Sequence, residues 1–155
     1  MVPCPPLRAA VPEGVRILEN YLSPALLPSD VDAVSSLGLA HVGDGVYELL
    51  VRTWLACHGR LTSSELHRAT VHYVSAPAQA AAAMRLLPQL TEEEQTWFRR
   101  GRNAHPHHGV PKGATAGEYA RATGLETLFG ALYLLGRTER VNALFTYLME
   151  EEDAF

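Results

Sequence analysis

The stretch that decides the fold class is LGLAHVGDGVYELLVRTWLACHG, residues 37–59. Its apolar residues recur every three or four positions, and from Val46 this spacing continues through Trp54 and Cys57. That period predicts an amphipathic α-helix with Cys57 in its buried face. One aspartate, Asp44, interrupts the apolar pattern between two glycines.

Signals for further helices lie on both sides of this stretch. Thr62 with Glu65, and Thr91 with Glu94, have the spacing of capping boxes, which satisfy backbone amides at helix N-termini. Helices are predicted to begin near Asp30, Thr62, Ser75, Thr91, Ala116 and Thr138, the first of them running past Leu37. No segment alternates as a half-buried strand does. The sequence therefore predicts an all-α fold, a compact bundle of about six or seven helices.

Length and composition predict one domain. The chain has 155 residues, of which 47% are hydrophobic, enough for a single core. Residues 1–28 begin with a proline-rich run and are predicted to form a partly disordered N-terminal extension. Residues 29–155 are predicted to form the helical domain.

The charge balance argues at first against a nucleic-acid binder, because the formal net charge is -4. The run Glu150–Asp153 supplies four negative charges, however, so the rest of the chain is neutral. No apolar run is long enough to span a membrane. The N-terminus lacks the charged and apolar regions of a secretory signal, and two cysteines make no disulfide framework. We therefore expect a cytoplasmic protein.

Two carboxylates, Asp44 and Glu126, stand in apolar helical stretches next to glycines. A carboxylate in such a place is costly unless it is paired or binds a cation, and two of them on different helices could converge on Mg²⁺. The alternative is that Asp44 caps a helix and Glu126 pairs with Arg121 or Arg52. Glu48 lies one turn after Asp44 and is either a water-mediated ligand or the i,i+4 partner of Arg52.

Residues 99–112 contain four basic side chains and no acidic one. Guanidinium groups and glycine-rich backbone suit phosphate, which favours a contact with a nucleic-acid backbone. The alternative is an ordinary helix end whose arginines complement the helix dipole. The histidines of this segment, His105, His107 and His108, lack the spacing of a metal site. A further polar group, with Leu66-His67-Arg68, Ser75 and Gln79, reads by default as the edge of the core.

Several of these stretches resemble the ribonuclease III family. Residues 43–48, GDGVYE, resemble its signature helix, and residues 125–134, LETLFGALYL, resemble its second motif. The branch with the closest resemblance is Mini-ribonuclease III. The stretches similar to that branch are residues 66–68, residues 74–76 with Gln79, and residues 99–104 with Pro111 and Lys112.

The resemblance implies an all-α homodimeric endonuclease that cuts double-stranded RNA with Mg²⁺, for which Mn²⁺ can substitute. It implies Asp44 and Glu126 as catalytic metal ligands, because the signature aspartate and the second-motif glutamate fall on them. The additional carboxylates of longer family members fall on Leu37, Ala40 and Thr123 here. The RNA-binding residues expected on this basis are Arg99, Arg100, Arg102, Asn103, Lys112, His67 and Arg68.

The resemblance also implies a substrate, the precursor of large-subunit ribosomal RNA, presented by a large-subunit ribosomal protein. We expect residues 29–155 to be a catalytic domain without a separate module for double-stranded RNA. Cleavage would leave a 5′-phosphate and a 3′-hydroxyl. The main alternative is a non-catalytic ribonuclease III-like module that binds RNA or a ribosome intermediate. A helical phosphohydrolase of small nucleotides is disfavoured, because the chain has no His-Asp dipeptide.

Overall fold

The chain folds into a bundle of α-helices in the computed structural model, which describes residues 20–60, 62–104 and 109–153, with side chains up to residue 150. The helices are α1 (Pro28–Asp32), α2 (Ser36–Cys57), α3 (Ser63–Val74), α4 (Ala76–Leu86), α5 (Glu92–Arg102), α6 (Ala116–Leu134) and α7 (Thr138–Asp153), with a 3₁₀ turn at Leu87–Gln89. The described residues contain no strand. The prediction of an all-α fold is confirmed.

The predicted helix starts are found, but the predicted extent of the first helix is wrong. Thr62 and Glu65 form the predicted capping box, and Thr91 caps α5 by accepting from the Glu94 amide. The helix expected from Asp30 past Leu37 is two helices, because the chain leaves helical geometry after α1 and Ser35 caps α2. The prediction that Cys57 lies in the core is also wrong, because this last residue of α2 is exposed.

Helix α6 is the centre of the bundle and packs against α2, α4 and α5. Nearly all of its residues from Ala122 to Leu132 are buried. Tyr47 of α2 meets two aromatic rings edge-on, Phe129 at 5.3 Å and Phe145 at 6.0 Å between ring centroids. These contacts fix the face that α2 turns toward α6.

Glycines let the neighbouring helices approach α6 closely. A methyl group added at Gly43 would overlap the Glu126 carbonyl oxygen, and one added at Gly130 would overlap the Leu39 carbonyl oxygen. A methyl group added at Gly101 of α5 would overlap the side-chain hydroxyl of Thr127. The α2–α6 crossing therefore depends on two glycines that face each other's backbone.

An ion pair between a buried carboxylate and a partly exposed arginine joins α7 to α5. Glu94 is 3% exposed, and its carboxylate accepts hydrogen bonds from Arg140 Nε at 2.9 Å and Nη2 at 3.1 Å. Arg140 also donates to the Gln89 carbonyl oxygen at 2.9 Å. This pair explains why Glu94, although placed for a capping box, turns into the bundle instead.

The predicted N-terminal extension falls largely outside the described residues, which begin at residue 20. The part that is described lies on the C-terminal end of α6. The Leu26 amide donates to the Leu134 carbonyl oxygen at 2.8 Å, and the Tyr133 hydroxyl donates to the Tyr21 carbonyl oxygen.

Candidate active site

The α2–α6 crossing places Asp44 beside Glu126. Gly43 lies against the backbone of Glu126, so the next residue of α2, Asp44, projects at the same level of the bundle. Asp44 is exposed and Glu126 is half-buried. Asp44 lies in the middle of α2, which contradicts the alternative that it caps a helix.

The two carboxyl groups interact electrostatically. Burial, and secondarily the charge of Asp44, raise the pKa of Glu126 to about 8, and the Gln79 amide opposes this shift. Asp44 is exposed as a whole residue, but partial desolvation of its carboxyl and the charge of Glu48 raise its pKa, while His41 opposes them. Neither of the two arginines considered as alternative partners of Glu126 is among the groups that shift its pKa. Burial and the charge of Asp44 therefore keep Glu126 protonated at neutral pH when no cation is bound.

A divalent cation would compensate the negative charge of Asp44 and Glu126 when both are deprotonated. Carboxylate oxygens are hard ligands, and Mg²⁺ is commonly held by one or two carboxylates with water and phosphate completing its shell. Within the described ranges no group of three or more His, Cys, Asp or Glu residues is arranged to hold a metal ion. The described residues therefore offer a cation two carboxylate ligands, Asp44 and Glu126.

Glu48 forms an ion pair with Arg52, which confirms the predicted i,i+4 pair. Arg52 Nη2 donates to Glu48 Oε1 at 2.8 Å across one turn of α2. Glu48 is nevertheless near enough to Asp44 to raise the pKa of that residue. Its role as a water-mediated ligand stays a prediction.

Most of the predicted RNA-binding side chains are exposed. Arg99 and Arg102 lie at the end of α5, where Arg99 donates to Thr96 Oγ1 and Arg102 to Asn103 Oδ1, each at 3.2 Å. Asn103 and Lys112 are also exposed. The segment that holds His105, His107 and His108 lies outside the described residues.

Arg100 differs from its neighbours because its donors are used within the fold. It donates to Asp32 Oδ1 at 2.9 Å, to the Val34 carbonyl oxygen at 3.0 Å and to Ser36 Oγ at 3.3 Å. Its guanidinium also lies 4.9 Å from the centre of the Trp97 ring. These contacts tie α5 to the α1–α2 connection and leave little for a phosphate.

His67 and Arg68 are both exposed on α3. His67 lines an open cavity of about 360 Å³ between α2 and α3, together with Arg52, Ser63, Leu66 and Thr70. Neither His67 nor Arg68 is among the groups that shift the pKa of Asp44 or of Glu126.

Gln79, which the sequence predicts to lie at the edge of the core, is found beside Glu126. Gln79 of α4 is 2% exposed and stands next to Glu126. Its amide is near enough to lower the pKa of Glu126, yet its Nε2 has no partner of hydrogen-bond geometry among the described residues. The signal in the sequence is a glutamine inside the alanine-rich helix α4.

An apolar face runs along the outer side of α2. Val42, Val46, Leu49 and Leu50 line a cavity of about 370 Å³ with Leu22 and Val141. Leu49 is 55% exposed and Leu22 is 75% exposed. A face of this kind on a helix bundle commonly marks an interface.

Comparison with known proteins gives concordant results. Residues 37–137 match the family model described as Ribonuclease III domain, a range that contains both Asp44 and Glu126. A Mini-ribonuclease 3 of Symbiobacterium thermophilum is 50% identical over 106 residues, covering 68% of this chain and 81% of that protein. A Mini-ribonuclease 3 of Enterococcus faecalis is 40% identical over 124 residues, covering 79% and 93%.

A solved structure agrees with the fold. The crystal structure of a protein from Fusobacterium nucleatum matches with a TM-score of 0.70 at 28% identity, covering 79% of this chain and 98% of that chain. Across the described ranges no helix is long and apolar enough to cross a membrane.

Proposed function

Because this chain belongs to the ribonuclease III family and is a metal-dependent endoribonuclease, we propose that Asp44 and Glu126 hold the divalent cation with which it cleaves double-stranded RNA. The observation that carries this proposal is the α2–α6 crossing, where Gly43 lies against the Glu126 backbone and the charge of Asp44 acts on the Glu126 carboxyl. The proposed ion is Mg²⁺, with Mn²⁺ as a substitute.

When bound, the cation supplies a Lewis acid that polarises a phosphate oxygen and lowers the pKa of a water molecule. In this chain, binding of the cation is coupled to the loss of a proton. Glu126 keeps its proton up to about pH 8 on its own, so a cation must displace this proton to be bound. Asp44, which is exposed, offers the oxygen that is reached from solvent.

Substrate contacts are proposed for the polar residues around this pair. Arg99, Arg102 and Lys112 would contact phosphates, and Asn103, His67 and Arg68 would hydrogen-bond sugar or phosphate oxygens. Double-stranded RNA is read mostly by shape and by its 2′-hydroxyls, so little sequence selectivity is needed from these residues. Arg100 is left out of this set, because its donors serve the fold.

The family is typically dimeric, and we place the homodimer contact on the apolar face of α2. Val42, Val46, Leu49 and Leu50 form a stripe at i, i+4, i+7 and i+8, as expected of a helix that packs on one more partner. A symmetric pairing would give two sites in one assembly, one for each RNA strand.

More specifically, we propose that the substrate is the precursor of large-subunit ribosomal RNA and that a large-subunit ribosomal protein presents it. Both the substrate and the presenting protein are proposed from the resemblance to the Mini-ribonuclease III branch. Only Arg99, Arg102 and Lys112 are proposed to contact phosphates, and a small number of phosphate contacts favours a presented substrate, since such contacts supply most non-specific affinity.

The test is cleavage of a duplex RNA and of precursor ribosomal RNA, with Mg²⁺ and with EDTA. The wild type should cut both only with Mg²⁺, and Asp44→Asn and Glu126→Gln should cut neither. Glu150→Gln, which removes an exposed carboxylate at the end of α7, is the matched control and should keep full activity. Binding of duplex RNA by the wild type without any Mg²⁺-dependent cutting would identify a non-catalytic module instead.

A further inference from the structure

Gln79 is the polar member of an otherwise apolar helix face. The buried residues of α4 are Gln79, Ala80, Ala82, Ala83 and Leu86. Helix α4 packs with this face against α6, the helix that carries Glu126. A leucine or methionine has about the same volume as glutamine and would satisfy packing alone.

The amide of Gln79 is not satisfied by the rest of the fold. The side chain is 2% exposed, and its Nε2 has no hydrogen-bond partner among the described residues. Buried polar groups are almost always hydrogen-bonded, and one that is not calls for a functional explanation. The nearby group that could use this donor is the Glu126 carboxyl.

An amide suits both protonation states of that carboxyl. Its Nε2–H donates to a carboxylate, and its Oε1 accepts from a protonated acid. It carries no charge, so it adds nothing to the repulsion between Asp44 and Glu126, as a third carboxylate would. A lysine or arginine at this place would compete with the cation for the pair.

We propose that Gln79 is a positioning residue that hydrogen-bonds one oxygen of Glu126 and so directs the other toward the divalent cation. This inference rests on the proposed function of the acidic pair. Residues that orient a metal ligand in this way commonly change metal affinity or activity by about 10–100-fold when they are replaced.

The experiment uses Gln79→Met and Gln79→Leu in the full chain. Mn²⁺ affinity is measured without RNA, from the electron paramagnetic resonance signal of free Mn²⁺, and kcat and KM are measured on duplex RNA with Mg²⁺. Gln95→Leu is the matched control, because it removes an amide of α5 that donates to the Leu90 carbonyl oxygen and is not among the groups that act on Asp44 or Glu126.

We expect both Gln79 variants to bind Mn²⁺ about 10-fold more weakly than the wild type. Their kcat should fall with little change in KM for RNA, and their thermal midpoint should stay close to that of the wild type, because methionine and leucine fill about the same volume as glutamine. The Gln95 variant should match the wild type in Mn²⁺ affinity and kcat.

The inference is overturned if Mn²⁺ affinity and kcat of both Gln79 variants equal those of the wild type. It is equally overturned if both variants lose the folded state, because the role is then structural, or if the wild type binds no Mn²⁺. A wild type that binds Mn²⁺ but does not cut duplex RNA contradicts the proposed function alone, and the Mn²⁺ affinities still decide the role of Gln79.

Discussion

Gly43 of α2 lies against the backbone carbonyl of Glu126 in α6, with no room for a methyl group between them. Each helix presents a glycine to the other, since Gly130 lies in the same way against Leu39. The crossing sets the separation of the helices and thereby the position of Asp44 relative to Glu126. The proposed metal site is thus a consequence of helix packing.

Gly43→Ala should therefore destabilise the protein by about 3 kcal/mol, because the new methyl group meets backbone that cannot rotate away. Gly117→Ala is the matched control in the first turn of α6, where an added methyl group would lie 3.6 Å from Arg121 Nη1, an ordinary contact. The Gly117→Ala variant should be as stable as the wild type or more stable by about 0.5 kcal/mol. Urea unfolding measures both, and equal stability of the two variants would contradict the packing argument.

Stability without divalent cations should fall as pH rises from about 4.5 to about 8. Over this range unfolded Glu126 has lost its proton while folded Glu126 keeps it, because its pKa rises from 4.5 to about 8 on folding. The unfolded state then binds fewer protons, so the free energy of unfolding decreases with pH. The raised pKa of Asp44 acts in the same direction.

Urea unfolding in EDTA at several pH values measures this slope. Glu126→Gln should flatten it, since the glutamine does not titrate, and saturating Mg²⁺ should offset the loss in the wild type. A wild-type slope that Glu126→Gln leaves unchanged would show that another group titrates.

The ion pair of Glu94 with Arg140 should contribute far more to stability than the exposed ion pair of Glu93 with Arg137. Arg140→Met leaves Glu94, 3% exposed, as a buried charge without its partner, and should cost about 3 kcal/mol. Arg137→Met removes the partner of Glu93, a pair at 2.9 Å whose side chains are both exposed. It should cost at most about 1 kcal/mol. Thermal unfolding compares the two, and equal losses would refute the distinction.

The arginines at the end of α5 should separate into two kinds. Arg99→Ala with Arg102→Ala should weaken RNA binding and reduce the salt slope of log affinity by about one for each phosphate that the protein no longer neutralises, with the fold intact. Arg100→Ala should instead lower the thermal midpoint, because it removes three hydrogen bonds to the α1–α2 connection. Filter binding across a salt series would contradict this division if the double variant kept the wild-type slope.

Local features of the sequence predict most of the fold. The capping pair Thr62 and Glu65 and the apolar period of α2 depend on residues close together in the chain, and both are found. The break before Ser35 is not evident from the sequence, because Asp30 has the chemistry of a helix cap and only the packed structure shows that α1 ends at Asp32.

Long-range partners are harder to predict. The apolar surroundings of Asp44 and Glu126 indicate a cation, but their juxtaposition depends on a crossing of helices far apart in sequence. Arg100 has the chemistry of a phosphate ligand, and its partners are found 64 to 68 residues away. Gln79 is hard to recognise as a site residue, because the carboxyl it faces is on another helix.

The central claim is that Asp44 and Glu126 hold one divalent cation together, and the most direct test is Mn²⁺ affinity without RNA for the wild type, Asp44→Asn and Glu126→Gln. Both variants should bind Mn²⁺ at least about 10-fold more weakly than the wild type while remaining folded. Two variants that bind Mn²⁺ as tightly as the wild type would contradict the claim.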